Sequence, residues 1–165
     1  MILVSLGTQD KPFERLLKAI DEAMEKGVIT ERVVAQIGQT KYTSSHMECF
    51  DFLDNAQFEQ LLEECSLLIT HGGVGSIVSA VNKGKVTIAT PRLAQYGEHH
   101  NDHQKQIIER FAAIGCIIPL WEMSDLEKCL KEAKTFHPES FESNQKNFVN
   151  LIRNYLQEVE SSGRK

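Results

Sequence analysis

The sequence predicts an open, mostly parallel α/β sheet with helices on both faces. Three observations carry that expectation. Short apolar runs alternate with stretches of helical apolar spacing along almost the whole chain. Several helical stretches close on a glycine, at Gly27, Gly84 and Gly115. A turn crowded with glycine, "THGGVGSI" at 70–77, joins one apolar run to the next helix.

Each element has its own local reason. "MILVSLG" reads as a buried strand ending at Gly7. A helix follows, with Pro12 suited to its first turn, Gly27 to its C′ position, and Phe13, Leu16, Leu17, Ile20 and Met24 at helical spacing. "RVVAQIG" (32–38) is the next strand, and the alternation in "MECFDFL" (47–53) predicts another. Asp54 or Asn55 can cap a helix carrying Phe58, Leu61 and Leu62. "LLIT" (67–70) is a strand, Ile77 to Lys83 a short helix, and "VTIAT" (86–90) a strand stopped by Pro91. After a polar loop, 101–114 is helical and "CIIPL" (116–120) is the last strand. Ser124 caps a helix to about Lys134. Pro138 opens a long final helix with Phe141, Phe148, Leu151, Ile152 and Leu156 on one face.

Bulk properties narrow the function. The 165 residues, 41% apolar and 25% charged, suit one domain, expected over 1–160 with a frayed tail at 161–165. A net charge of −5 lacks the basic footprint of a nucleic-acid binder. Cys49, Cys65, Cys116 and Cys129 form no CxxC pair, so they read as small buried hydrophobes in a reducing compartment. The apolar opening is too short for a signal segment, and no run approaches the ~20 residues that span a bilayer. The expected location is cytoplasmic.

In such a sheet ligands sit beyond the carboxyl ends of the strands. Residues 71–76 lie there, at the start of a helix, where free N–H groups and the helix dipole favour an anion. Gly72, Gly73 and Gly75 let backbone approach a bulky phosphate, Ser76 adds a hydroxyl, and His71 can donate from its ring. The stretch reads as a diphosphate cradle. A tight turn that binds nothing is the other reading of the glycines, and a structural histidine the other reading of His71. The pattern is not a P-loop, and Val78 stands where a dinucleotide fingerprint wants its third glycine.

Two further clusters face the same end. "PRLAQYGEHHNDHQKQ" crowds Glu98, His99, His100, Asn101, Asp102, His103 and Gln104. His99 and His103 stand at i, i+4, which suits a metal on a helical face, although the helix start falls between them. A solvated loop capped by Asn101 or Asp102, or polar contacts to a sugar or ribose, are the alternatives. Gly7 and Thr8 leave the first strand at this end too, and Thr8 or Asp10 can instead simply cap the first helix.

Three motifs in this order, "LVSLGTQDKPFERLL", "LLITHGGVGSIVSAVNKGKVTIATP" and "HHNDHQ", resemble the carboxyl-terminal half of GT-B glycosyltransferases of family 28. The resemblance covers about residues 1–155, and within the family the chain is similar to the short, stand-alone members. These include the catalytic subunit that adds the second N-acetylglucosamine to dolichol diphosphate, and bacterial exopolysaccharide subunits that transfer a β-1,4-linked hexose, often galactose. It implies a Rossmann-like half-domain that binds a nucleotide sugar, with a UDP-sugar as substrate. It also implies an Alg14-like membrane-associated protein that presents a lipid-linked saccharide acceptor, placing this chain peripherally at the membrane. By resemblance His71 and Ser76 contact the donor diphosphate, with Gly72, Gly73 and Gly75 as the turn between them. Gln104 contacts the donor sugar, His103 replaces an aspartate often found before it, Asn101 belongs to the same donor-binding stretch, and Gly7 and Thr8 face the cleft. Ser79 stands where many relatives carry a glutamate that holds ribose hydroxyls.

The expected chemistry is inverting hexosyl transfer in polysaccharide biosynthesis, active with the partner. Nothing resembles a DxD triad, so no metal and no cofactor are expected. The general base is unassigned, with Asp10, His99 and His100 as candidates. A non-catalytic nucleotide-sugar-binding subunit is the alternative. A hydrolysing or epimerising enzyme on a similar scaffold is a further rival, although a full epimerase needs both halves in one chain. When alone, the protein is expected to self-associate through its final helix, where Phe141, Phe148, Ile152 and Tyr155 offer an apolar surface.

Overall fold

The first apolar run forms strand β1 (Ile2–Ser5), buried throughout. It sits centrally in a six-stranded sheet with β2 (Val33–Gln36), β3 (Glu48–Phe50), β4 (Leu67–His71), β5 (Val86–Thr90) and β6 (Ile118–Pro119). The order is β3-β2-β1-β4-β5-β6 and every pairing is parallel. The computed structural model describes residues 1–139, 146, 149–154 and 156–157. The predicted α/β sheet with helices on both faces is what it contains.

Strands β1, β2 and β4 are near-continuous apolar runs because both faces of the sheet are covered. Ile2 and Val4 pack with Leu16, Leu17 and Ile20 of α1 (Glu14–Glu25) and Leu126 and Leu130 of α5 (Leu126–Ala133). Leu3 turns to the opposite face, against Leu62 of α2 (Asn55–Glu64) and Ala80 of α3 (Val74–Asn82). Ile107, Ile108 and Phe111 of α4 (His103–Ala113) complete that second layer with Ala89 and Ile77. Each fully buried Leu, Ile or Phe contributes about 1.5–3 kcal/mol.

The predicted helix stops hold. Gly27, Gly84 and Gly115 follow α1, α3 and α4 with φ of 71°, 63° and 74°. Asp54 caps α2 through a reciprocal pair: it accepts from the Gln57 N–H at 2.8 Å, and the Gln57 side chain accepts from the Asp54 N–H at 3.2 Å. Cys65, Cys116 and Cys129 are buried, Cys49 is half-buried, and all four thiols are free.

Other boundaries moved for long-range reasons. Helix α1 starts at Glu14, so Pro12 lies before it, and neither Thr8 nor Asp10 caps it. Phe13 is the N-cap instead. Its ring is fully buried and its N–H donates to Thr40 Oγ1 at 3.0 Å, which draws the chain into the core before the helix begins. Strand β3 is three residues long, and beyond it the Leu53 N–H donates to the side-chain Oε1 of Gln36. Helix α3 starts at Val74, which places Gly75 inside it. Ser124 is no cap: it sits in a single 3₁₀ turn, Met123–Asp125. Residues 149–154 are helical, with Leu151 buried in the α3–α4 layer. Phe141, Phe148, Tyr155 and the tail 161–165 lie outside the described residues. Among those described, no helix is long and apolar enough to cross a membrane.

From β1 the chain steps outward to β2 and β3, then returns across the sheet to β4 and continues to β5 and β6. The strand order reverses between β1 and β4. Their loops diverge beyond the carboxyl ends, and a crevice opens there.

Candidate functional site

His71 is the last residue of β4, paired in register with Thr90 of β5. Its Nδ1 lies 3.4 Å from both the Ser5 carbonyl and Thr70 Oγ1, while Thr70 Oγ1 donates to that carbonyl at 3.0 Å. Both neighbours of Nδ1 therefore act as acceptors, which assigns the ring proton to Nδ1 and the lone pair to Nε2. Burial pushes the ring down to about 4, and the positive charge of Arg92 adds to the effect. At neutral pH the uncharged ring presents Nε2 as an acceptor. Donation to a phosphate, the expectation from the sequence, then requires a proton to be taken up first.

The glycines divide between two tasks. A Cβ on Gly7, whose φ is 73°, falls 2.6 Å from His71 Nε2, and one on Gly73 collides with the same edge of the ring. The imidazole is thus held between two bare backbones. A Cβ on Gly72 falls 2.7 Å from Gln104 Cβ, so this glycine admits α4. Only Gly75 of the motif faces open space. Packing therefore accounts for Gly72 and Gly73, and Gly75 alone leaves room for a ligand.

At the N-cap of α3, Gly73 has no side chain to offer, and no side-chain hydrogen bond caps this helix. The first-turn N–H groups are left to whatever enters the crevice. That crevice is a cavity of about 430 Å³ lined in part by His71, Gly73, Gly75, Ser76 and Ser79, with Gly7 and Thr8 across from them. Its size suits a small organic ligand.

The second polar cluster is mostly structural. Gln104 is buried, and its Oε1 accepts from the Gly72 N–H at 3.1 Å and the Arg92 N–H at 3.0 Å. Two backbone donors fix which way the amide faces, and among the described residues its NH₂ has no partner. Asn101 Oδ1 accepts from the His103 N–H, and Asp102 Oδ1 accepts from the Ala94 N–H. His99 Nδ1 accepts from the Asn101 N–H, and burial lowers its ring. Since α4 begins at His103, His99 and His103 share no helical face. Among the described residues no group of three His, Cys, Asp or Glu could hold a metal. Asp10, Gly72, His99, His100, Asn101, His103 and Gln104 lie outside the cavity lining.

Sequence reasoning missed the framework behind this cluster. Arg92 is 1% exposed and donates to the carbonyls of Leu6 (2.6 Å), Lys11 (2.7 Å) and Glu98 (3.3 Å). Glu98 is buried too. It accepts two hydrogen bonds from Arg15, at 2.7 and 3.1 Å, and one from the Leu93 N–H. These bonds tie the loop after β1 to the loop after β5. Gln36, Asn55, Phe58 and Glu59 also line the cavity. The signals were present: Gln36 is a lone polar residue in an apolar strand, and Asn55 and Glu59 stand at i, i+4.

A family model described as the glycosyltransferase family 28 C-terminal domain matches residues 1–159. Among solved structures, the glycotransferase of kitacinnamycin superposes with a TM-score of 0.61 at 18% identity, over 92% of this chain and 38% of that one. The solution structure of ALG13 gives 0.56 at 18% identity, over 85% and 88%. MurG of Acinetobacter baumannii gives 0.57 at 16% identity, over 81% and 40%. The chain therefore spans about two fifths of the longer enzymes and most of the short one. At these identities the superpositions speak for the fold. No curated protein matches the chain significantly in sequence.

Proposed function

The chain belongs to the glycosyltransferase family 28 C-terminal domains, and from that premise we propose that it binds a UDP-sugar and donates the hexose to a lipid-linked saccharide. On this reading it is an inverting hexosyltransferase subunit of polysaccharide synthesis, working with a membrane-associated partner that presents the acceptor. Residues 1–160 form the donor-binding half. The observation that carries the reading is the uncapped start of α3, opening beside His71 and Ser76 into the 430 Å³ cavity.

The diphosphate sits at the amino end of α3, where Gly75 leaves space. First-turn N–H groups and the Ser76 hydroxyl face the charge that grows on the leaving nucleoside diphosphate, a preorganised electrostatic arrangement. The NH₂ of Gln104 supplies a donor for a sugar hydroxyl. Transfer proceeds without a metal, so excess chelator leaves the rate unchanged; a loss that magnesium or manganese restores sinks this part of the reading.

One observation favours the second reading, a binding subunit whose partner performs the chemistry. None of the candidate bases Asp10, His99 and His100 lines the cavity. Transfer from a panel of labelled UDP-hexoses, with and without membranes carrying the partner, separates the two. Activity that needs both the membranes and an intact His71 supports catalysis here. Activity of the membranes alone, merely raised by this chain, supports the accessory role. Failure of the chain to bind any UDP-sugar defeats both.

A further inference from the structure

Residues 37–47 join β2 to β3 without helix or strand. Two fastenings hold this strap. Thr40 is buried, and its Oγ1 accepts the Phe13 N–H ahead of α1. Further on, the strap closes over Asp21 of α1. Asp21 Oδ2 accepts from the Tyr42 hydroxyl at 2.7 Å; Oδ1 accepts from the Ser44 hydroxyl at 2.5 Å and from His46 Nδ1 at 3.2 Å. Ser44 Oγ in turn accepts from the N–H groups of His46 and Met47, at 2.9 and 3.0 Å. Burial opposes the charge of Asp21, but the hydrogen bonds from Ser44, Tyr42 and His46 outweigh it and hold the carboxyl below its ordinary 3.8. Burial, and then the Asp21 charge, raise the Tyr42 phenol, so its hydroxyl remains a donor. Lys18, Glu22 and Glu25 border the same cavity of about 350 Å³, where Lys18 is paired with Glu14 at 2.9 Å.

At its β2 end the strap meets the crevice. Gly38 has a φ of 59°, and a Cβ on it falls 2.8 Å from the Gly7 carbonyl oxygen. Gly7 in turn lies against the Nε2 edge of His71. Close contact therefore runs from the strap through two bare backbones to the ring. We propose that Asp21 is a positioning residue for the crevice: it latches the strap to α1, and the latched strap holds Gly38 and Gly7 in place against His71. The latch concerns the state of the ring and holds whatever ligand the crevice takes. Release of Asp21 frees the strap, Gly7 gives way, and water reaches Nε2. Burial is the main cause of the depressed His71, with Arg92 and His99 adding to it, so a ring opened to water titrates higher. The direct charge effect has the opposite sign. Removing a negative charge at Asp21 disfavours the imidazolium and lowers the ring, so a rise reports release.

NMR titration of the histidine side chains in the wild-type chain and Asp21→Asn tests this, with His71→Asn assigning the signal. In Asp21→Asn the His71 midpoint should rise from about 4 toward 6.5, by about one unit or more. Tyr42→Phe, which removes one donor and keeps the ring, should raise it by less. If Asp21→Asn does not fold, Tyr42→Phe decides: a rise supports the latch and an unmoved midpoint overturns it. Glu25→Gln, a carboxylate on the same cavity outside the latch, should leave His71 at about 4. A latch that serves stability alone lowers the urea midpoint of Asp21→Asn and leaves the His71 titration where it was. That result, or a fall in the His71 midpoint, overturns the inference and leaves the reading of the crevice untouched.

Discussion

Binding of a UDP-hexose should draw a proton onto His71, and the seat of that ring sets the size of the effect. In the free protein the ring titrates at about 4. At roughly 1.4 kcal/mol per pH unit, protonating it at pH 7 costs about 4 kcal/mol. One phosphate charge about 4 Å from the imidazolium returns about 4 kcal/mol at an effective dielectric constant near 20. The second phosphate adds to that. The bound ring therefore titrates at or above pH 7, and about half a proton or more is taken up there. The diphosphate of a UDP-hexose has no group of its own titrating in this range, so the exchange reports on the protein. Calorimetry at pH 7 in two buffers of different ionisation enthalpy reads the uptake directly. Affinity should also fall as pH rises, by up to tenfold per unit below the value of the bound ring. His71→Ala should abolish the uptake and weaken binding about tenfold or more. A wild-type titration that binds with no buffer dependence, or equal uptake in His71→Ala, refutes the reasoning.

The depressed His71 also acts on stability. The unfolded chain binds the extra proton between the ordinary value of 6.5 and about 4, so stability rises with pH across that window. Urea titrations should show about 3 kcal/mol lost on acidification through it, and His71→Asn should flatten the slope. Gly7→Ala meets both a φ of 73° and the His71 ring, and should cost about 2 kcal/mol or more in thermal denaturation. Gly75→Ala, in open space within α3, should stabilise by about 0.5 kcal/mol while weakening UDP binding. Arg92→Met strands three carbonyls and should destabilise by about 3 kcal/mol. Arg92→Lys should recover little, since one ammonium does not span the fork. In both soluble variants that fold, NMR titration of His71 tests the coupling: the ring should rise in Arg92→Met and stay low in Arg92→Lys.

The sheet, the helix stops and the Asp54 cap were legible because local physics decides them. Apolar runs, glycine at C′ and a capping residue act within a few positions. What was illegible depends on partners far along the chain. Helix α1 starts late because Thr40, 27 residues on, takes the Phe13 N–H. The charge of His71 is set by burial beneath Gly7 and by the distant Arg92, neither of which its own turn reveals. The glycine motif does border the crevice, but most of its glycines are there for packing. Gly73 makes room for His71 and Gly72 for α4, while Gly75 alone faces open space. The run of histidines after β5 suggested metal or sugar contacts, yet the buried pair Arg92 and Glu98 beside it organises the loop.

The buried framework and the open helix end act on the same charge. Arg92 is fixed by carbonyls of the loop after β1 and of the loop after β5, which holds its positive charge in place. Burial, with that charge adding to it, keeps His71 neutral in the free protein. On the proposed function, a seated diphosphate meets a positive sum of Arg92, the α3 N–H groups and a newly protonated His71, and the transfer chemistry follows from that reading. As the bond from sugar to phosphate breaks, the leaving group gains a further negative charge, and each of these interactions strengthens. A donor set that responds more to the departing diphosphate than to the intact donor lowers the barrier and not only the dissociation constant. Protonation of His71 increases this difference, because the imidazolium is favoured most when the charge is greatest. On that reading the histidine and the glycines that confine it work as one device: confinement keeps the proton off in the free protein, and the leaving group draws it on.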